Sequence, residues 1–394
     1  MKSNKYLLIV LLLFASFNAG KWLIQFDNDQ YHPLDFRTYY LGTSAFQKFK
    51  TPYNENNNDS IWSQYKDSNN NSWNTNTGFP HATVVYSPSF IHVFSLFTLT
   101  SFHTAKWIQL IINILSIFFI AILIHKINSD WQIKYILLAI FAFKGTWFAL
   151  SNGQPLFMIL LACIYSIYLI KIKNHTVLAG IFLGIVSFKF TLVLPIVIWL
   201  FFQKNYKSFF SCAISALVLN ATVLANNPNM YFEWQSNIQK LWEYIHQNQF
   251  NALNIITTGI SPTLKIGLNI PNNVLKLCLI IISLTLYLLI YFSKTKQDSQ
   301  LFALVLIGFV FGQHLLYDLL FVICLFLITH TNSIQLNFTK IVLMCLLLLP
   351  MGKISEILKM EFIHLALPIG LLLFSTQTFY EEVLIKYKTT KKES

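Results

Sequence analysis

Residues 105–124 read A-K-W-I-Q-L-I-I-N-I-L-S-I-F-F-I-A-I-L-I, with Lys106 as the one charge and no glycine or proline. A membrane-spanning helix needs roughly 20 consecutive apolar residues, and this stretch supplies them. Tyr6–Ile24, Val274–Phe292 and Phe362–Tyr380 read the same way. A soluble all-α protein needs charge to solvate its surface, so it does not carry so many uninterrupted runs. Across 394 residues, 55% are hydrophobic and 11% are charged, and the mean hydropathy is +0.54. The expected fold is therefore an all-α polytopic membrane protein, a single integral membrane domain over 1–394.

Apolar runs predict about 12 transmembrane helices, at 6–24, 84–101, 105–124, 133–150, 154–171, 176–203, 208–225, 273–292, 300–313, 315–330, 340–352 and 362–380. Lys2 and Lys5 precede the first run, and Lys386, Lys388, Lys391 and Lys392 come after the last. The positive-inside tendency then puts both termini in the cytoplasm. Even counting places Lys126, Lys134, Lys171 and Lys173 on the outer side, against that same tendency. Splitting 176–203 into a hairpin at Lys189–Pro195 moves the second pair inward but breaks the count elsewhere. The first run also resembles a secretory signal, with cleavage near Ala19; cleaved or not, it exports the polar segment beginning at residue 25.

Two polar segments stand apart, 25–83 and 226–272, both on the exported side in this reading. In the first, Phe36, Tyr39, Tyr40, Phe46, Phe49 and Tyr53 recur at helical spacing. In the second, Tyr231, Trp234, Ile238, Leu241, Trp242 and Ile245 do so after Asn227-Pro228. Both predict amphipathic helices lying in the membrane interface. The asparagine-rich stretches Asn54–Asp59 and Ser68–Thr77 read as solvated loop.

The net charge of +12 does not point to nucleic acid. Of the 28 basic residues, 27 are lysines scattered at the ends of apolar runs, where they anchor to lipid headgroups. The five cysteines (Cys163, Cys212, Cys278, Cys324, Cys345) all lie inside apolar runs, with neither a disulfide framework nor metal-ligand spacing.

Only 16 carboxylates exist, and six crowd into the first exported segment: Asp27, Asp29, Asp35, Glu55, Asp59 and Asp67. The last three fall in the asparagine-rich part. The stretch F-D-N-D-Q-Y-H-P-L-D-F-R-T-Y-Y, residues 26–40, remains. A carboxylate there, desolvated by aromatic neighbours, is placed to act as a general base; equally, these acids could simply solvate the loop. Arg37 is the only arginine in the chain. Its planar fork suits carboxylate or phosphate in a way lysine does not. Asp27-Asn28-Asp29 fits a D-x-D pattern able to hold a divalent metal, but no glycine-rich soluble α/β domain accompanies it.

Further on, F-G-Q-H-L-L-Y-D, residues 311–318, interrupts an apolar stretch. Polar groups at membrane depth are costly and face a cavity or one another. His314 and Asp318 stand at i, i+4 and fit one helical face. Gln154 in S-N-G-Q-P and Lys189 in S-F-K-F are two more polar interruptions.

These motifs together resemble the GT-C superfamily of membrane glycosyltransferases, and most of all glycosyltransferase family 87, the polyprenyl-phosphate-mannose-dependent mannosyltransferases. The likeness runs through D-F-R-T-Y-Y (35–40), V-Y-S-P-S-F (85–90), N-G-Q (152–154), A-G-I-F-L-G-I-V-S-F-K (179–189) with Pro195, and Q-H-L-L-Y-D (313–318). Two departures are visible: the family's Y-P-P reads Tyr86-Ser87-Pro88, and Pro155 and Leu156 come after Gln154 where an asparagine is common.

The resemblance implies a GT-C fold and a base at Asp35 with His314 beside it. Arg37, Tyr39, Tyr40, Gln154, Lys189 and Asp318 would bind the donor phosphate or the acceptor. It also implies an inverting transfer without metal or other cofactor, Asp27 and Asp29 serving only if a metal is required. The donor would be a polyprenyl-phosphate-linked hexose, with mannose first in line, and the acceptor a glycan or glycolipid hydroxyl. The location would be the outer face of a bacterial inner membrane. Two rivals use the same lipid-linked sugars. A flippase calls for internal repeats and a midplane site, and no repeat is evident. A glycan ligase or polymerase would carry its dominant exported loop late in the chain.

Overall fold

A computed structural model describes residues 5–27, 33–53, 61, 84, 86–247, 257–258, 272–293, 297–311 and 314–329. The described residues are helical apart from loops and one antiparallel pairing of β1 (Thr257–Thr258) with β2 (His314–Leu315). The expected spans 340–352 and 362–380 lie outside the described residues.

The first polar segment forms α2 (Leu34–Phe49), entered from Pro33 and ended by Lys50 at φ 63°, whose N–H closes onto the Phe46 carbonyl. α1 (Lys5–Asp27) precedes it. The spacing of Phe36, Tyr39, Tyr40 and Phe46 turns one face of α2 into a buried aromatic ridge. α3 (Pro88–Phe94), continued by a 3₁₀ turn at Ser95–Leu99, packs on that ridge. Tyr39 meets Phe90 and Phe94 edge-on at 5.3 Å each.

This packing corrects one expected span. Residues 84–101 are apolar enough to cross a membrane, but the helical stretch Pro88–Leu99 is too short. Both its ends sit at α2: the Tyr86 ring lies 5.4 Å from that of Tyr39, and the Tyr40 hydroxyl donates to the Thr100 carbonyl at 2.7 Å. Its apolar side chains serve α2 as well as lipid.

The bundle continues with α4 (Phe102–Ile127), α5 (Ile133–Ala142), α6 (Lys144–Ser151), α7 (Leu156–Tyr168), α8 (Thr176–Ile185), α9 (Phe190–Phe202), α10 (Tyr206–Asn226) and α11 (Met230–Gln247). After these come α12 (Asn272–Ser293), α13 (Gln297–Phe311) and α14 (Leu320–Ile328). Among the described residues, three helices are long and apolar enough to cross a membrane: Phe102–Ile127, Leu156–Lys173 and Tyr206–Asn226. The number is five if two bent pairs each count as one span: α5 with α6, bent by 72°, and Thr176–Ile185 with Ser187–Phe202, bent by 73°. The expected straight spans at 133–150 and 176–203 are therefore both broken, the second at 186–189. α8 and α10 run side by side at close approach, because Gly180 and Gly184 leave no room for a Cβ against Ser211 and Ser215.

With 84–101 packed on α2 and 176–203 bent back on itself, the lysines that conflicted with the expected count gather at one end of the bundle. α4 starts beside α2, where Phe36 and Phe102 lie 5.7 Å apart. It then runs 26 residues, roughly 39 Å at 1.5 Å per residue. At its far end Lys126 stands 5.9 Å from the Tyr168 ring near the end of α7. Lys134, Lys171 and Lys173 gather at that same end. So do Lys204 and Lys207, because Ser208 Oγ donates to the Thr176 carbonyl at 2.7 Å. α10 then returns to α2, where Asn227 Nδ2 donates to the Lys50 carbonyl at 3.3 Å.

Candidate functional site

The loop between α6 and α7, Asn152-Gly153-Gln154-Pro155, is clamped against the start of α2. Three successive carbonyls each accept a hydrogen bond from a different group. Phe36 N–H donates to Asn152 at 3.0 Å, the Tyr39 hydroxyl to Gly153 at 2.7 Å, and Asn113 Nδ2 to Gln154 at 2.9 Å. Gly153 makes this approach possible. Its φ is +65°, and a Cβ there would lie 2.6 Å from Phe36 Cβ and 2.8 Å from Pro33 Cβ.

The clamp delivers the Gln154 side chain to Asp35, in the first turn of α2, and Gln154 Nε2 donates to Asp35 Oδ2. Burial pushes the Asp35 carboxyl up to about 6, against the opposing effects of the Gln154 hydrogen bond and the Lys189 charge. Desolvation penalises the ionised form more than those two partners favour it. The Tyr86 hydroxyl lies within reach of Gln154. Burial, and after it the nearby Asp35 charge, hold its phenol well above the ordinary value, so it stays a neutral donor.

Lys189 caps the break between α8 and α9. Its Nζ pairs with Asp318 Oδ1 at 3.2 Å and lies 5.5 Å from the centre of the Tyr317 ring. The Asp318 side chain is 2% exposed and that of Lys189 is 27% exposed, so the cation has an open side and its partner does not. Tyr317 is brought in by Gly145 of α6, where a Cβ would lie 2.9 Å from the Tyr317 Cα. Asp318, Asp35 and Tyr86 all stand close enough to Tyr317 to act on it electrostatically. A carboxyl poised near neutrality and a partly open cation thus share one end of the bundle. The arrangement can accept a proton and hold an anion.

Of the other candidates, Tyr39 and Tyr40 are enclosed, and both hydroxyls are engaged by backbone carbonyls. That geometry has them hold the loop and α2 in place. Arg37 is half-buried on α2. Burial lowers its guanidinium below the ordinary value, though a guanidinium remains charged throughout. His314 enters only through its backbone, paired with Thr258 in the short sheet; its side chain lies outside the described part of the structure. Asp27 closes α1 and its side chain is likewise outside, as is the whole of Asp29. Among the described residues no cluster of three or more His, Cys, Asp or Glu side chains is placed to hold a metal ion.

Sequence reasoning did not single out Tyr86 or Asn113. The signal for Asn113 was present: with Gln109 it makes an amide pair at i, i+4 inside the long apolar run 105–124. The second polar segment also reaches the site's edge. Thr51 Oγ1 donates to Glu233 of α11, and Asn237 Nδ2 donates to the Val84 carbonyl at 2.8 Å.

Compared with known proteins, residues 84–321, more than half of the chain, match the model of glycosyltransferase family 87. Asp35 lies ahead of the matched stretch; Gln154, Lys189, His314 and Asp318 lie within it. No curated protein and no solved structure matches the chain.

Proposed function

The chain belongs to glycosyltransferase family 87, and from that premise we propose that it transfers a hexose, with mannose the first candidate, from a polyprenyl-phosphate carrier to a hydroxyl of a glycan or glycolipid. Asp35 acts as the base. The acceptor oxygen attacks the anomeric carbon, its proton passes to the Asp35 carboxylate, and the bond from the sugar to the carrier phosphate breaks with inversion. The departing phosphate needs positive charge. Lys189 is the cation with an open side, and Arg37 and His314 are the further candidates. Gln154 and Tyr86 orient the base, and Asp318 orients Lys189.

The observation that carries this reading is the Asp35 carboxyl itself, largely withdrawn from solvent, pushed up to about 6 and held by Gln154. A base is most effective when its pKa lies near the working pH. The lysine distribution supports an outward-facing site in a bacterial inner membrane. Six lysines (126, 134, 171, 173, 204 and 207) flank short connections at the end away from Asp35, and the positive-inside tendency assigns that end to the cytoplasm. Nucleotide sugars are absent beyond that membrane, so a donor there must be carried by lipid.

The test is sugar transfer from polyprenyl-phosphate-mannose in proteoliposomes by the Asp35→Asn chain. We expect a loss on the order of a thousand-fold. Undiminished transfer would overturn the assignment of the base.

A further inference from the structure

We propose that Asn113, in the middle of the membrane-spanning helix α4, is a positioning residue for Asp35 that acts through Gln154. The proposal rests on the reading of Asp35 as base and extends the site into the bundle. A hydrogen-bonded line runs Gln109 to Asn113 to Gln154 to Asp35, and none of its first three members is charged. Gln109 and Asn113 are both 0% exposed. Gln109 Nε2 faces Asn113 Oδ1 at 3.5 Å, which turns the Asn113 amide so that its Nδ2 points at the Gln154 carbonyl, 2.9 Å away. That carbonyl belongs to the residue whose side chain holds the base.

Asn113 therefore fixes the backbone of the very residue that sets the carboxyl's orientation. Pro155 comes directly after it and bars the peptide from settling into an ordinary helical turn. Without the Asn113 donor, the carbonyl at 154 is an unsatisfied acceptor inside the bundle, and the peptide has reason to rotate and take the side chain with it.

The cost of this arrangement argues for a purpose. Among the described residues Gln109 Oε1 accepts no hydrogen bond, and an unsatisfied buried amide costs on the order of 1–3 kcal/mol. An all-apolar α4 would pack against α7 without that cost, and polar side chains inside a membrane helix mark function more often than filler. Other groups act on Asp35 from the elements around it: Lys189 at the α8–α9 break, Tyr86 ahead of α3, and Tyr317 between α13 and α14. Arg37 lies on α2 itself, and Lys106 one turn before Gln109. The Gln154 carbonyl takes its hydrogen bond from Asn113, and the Gln154 variants below separate that contact from these groups.

The experiment is the pH profile of mannose transfer by the full chain in proteoliposomes, using Asn113→Leu, which keeps the branch at Cγ and removes the amide. The Gln154 hydrogen bond favours the ionised carboxylate, so losing it raises the Asp35 pKa and empties the base form at low pH. We expect about a ten-fold loss of kcat at pH 6 that shrinks to about two-fold at pH 8, with KM little changed. Gln154→Leu should do the same, and the double variant should be no worse than Gln154→Leu alone. A loss equal at every pH, or one that adds to that of Gln154→Leu, would show a merely structural role and overturn the proposal. If Asn113→Leu does not fold, Gln109→Leu reads the same line from its outer end, with the same direction of movement in the acid limb; an unmoved limb there overturns it as well. Asp35→Asn measured in parallel separates the two failures. Activity that survives in Asp35→Asn removes the base, whereas an unmoved profile beside a dead Asp35→Asn removes Asn113 alone.

Discussion

Gln154 Nε2 donates to Asp35 Oδ2 across 119 residues of sequence, and the peptide that carries Gln154 is itself pinned to α2 by Phe36 and Tyr39. The base and its partner are thus fastened to each other twice, once through side chains and once through backbone. Displacing either moves both.

The first consequence is a pH dependence. Only the ionised Asp35 can take a proton, and burial holds its pKa near 6. The rate of transfer should rise roughly ten-fold per unit below that value and level off above it, giving an inflection near 6. A profile flat from pH 5 to 7 in proteoliposomes would contradict the burial.

Gly153→Ala should cost roughly 2–5 kcal/mol in thermal unfolding in detergent. The left-handed backbone disfavours alanine by about 1–2 kcal/mol, and overpacking against Phe36 and Pro33 adds about 1–3 kcal/mol. The same variant should lose activity, because the loop can relieve the clash only by leaving α2.

Lys189→Met strips a 2% exposed carboxylate of its counter-ion, and breaking a buried pair from one side costs about 3–5 kcal/mol. Adding Asp318→Asn should recover most of the lost melting temperature without recovering transfer, since the cation stays absent. Recovery of both would remove Lys189 from the phosphate site.

Orientation can be read from single cysteines placed at Lys50 and Lys204, both at the protein surface, in a background with Cys278 and Cys345 changed to serine. A membrane-impermeant maleimide applied to intact cells should label position 50 at once and position 204 only after permeabilisation. The reverse pattern would turn the molecule over.

The long helices were legible because α4, α7 and α10 are unbroken apolar runs, and their expected positions at 105–124, 154–171 and 208–225 fall within or nearly within them. Residues 84–101 misled because apolar side chains look alike whether they face lipid or the ridge of Phe36, Tyr39 and Phe46. The bend at Phe143 was hidden for a different reason, since the run around it stays largely apolar, whereas the break at 186–189 was signalled by Lys189, where the alternative hairpin was placed. Asp35 stood out as an acid close after the first run. Gln154 stood out as a polar interruption, but its pairing with Asp35 did not, and neither did Tyr86 or Asn113, because these groups are brought together by tertiary contacts that no spacing in the sequence records.

The ion pair between Lys189 and Asp318 also constrains how the molecule is built. Lys189 leaves the ribosome in an apolar hairpin, and its counter-ion is synthesised only after α13. Until then the growing chain carries that positive charge without its ion-pair partner. The 176–202 hairpin therefore reaches its final seat late, when the α13–α14 segment arrives, and a chain truncated before Asp318 should be recognised as unfinished by membrane quality control.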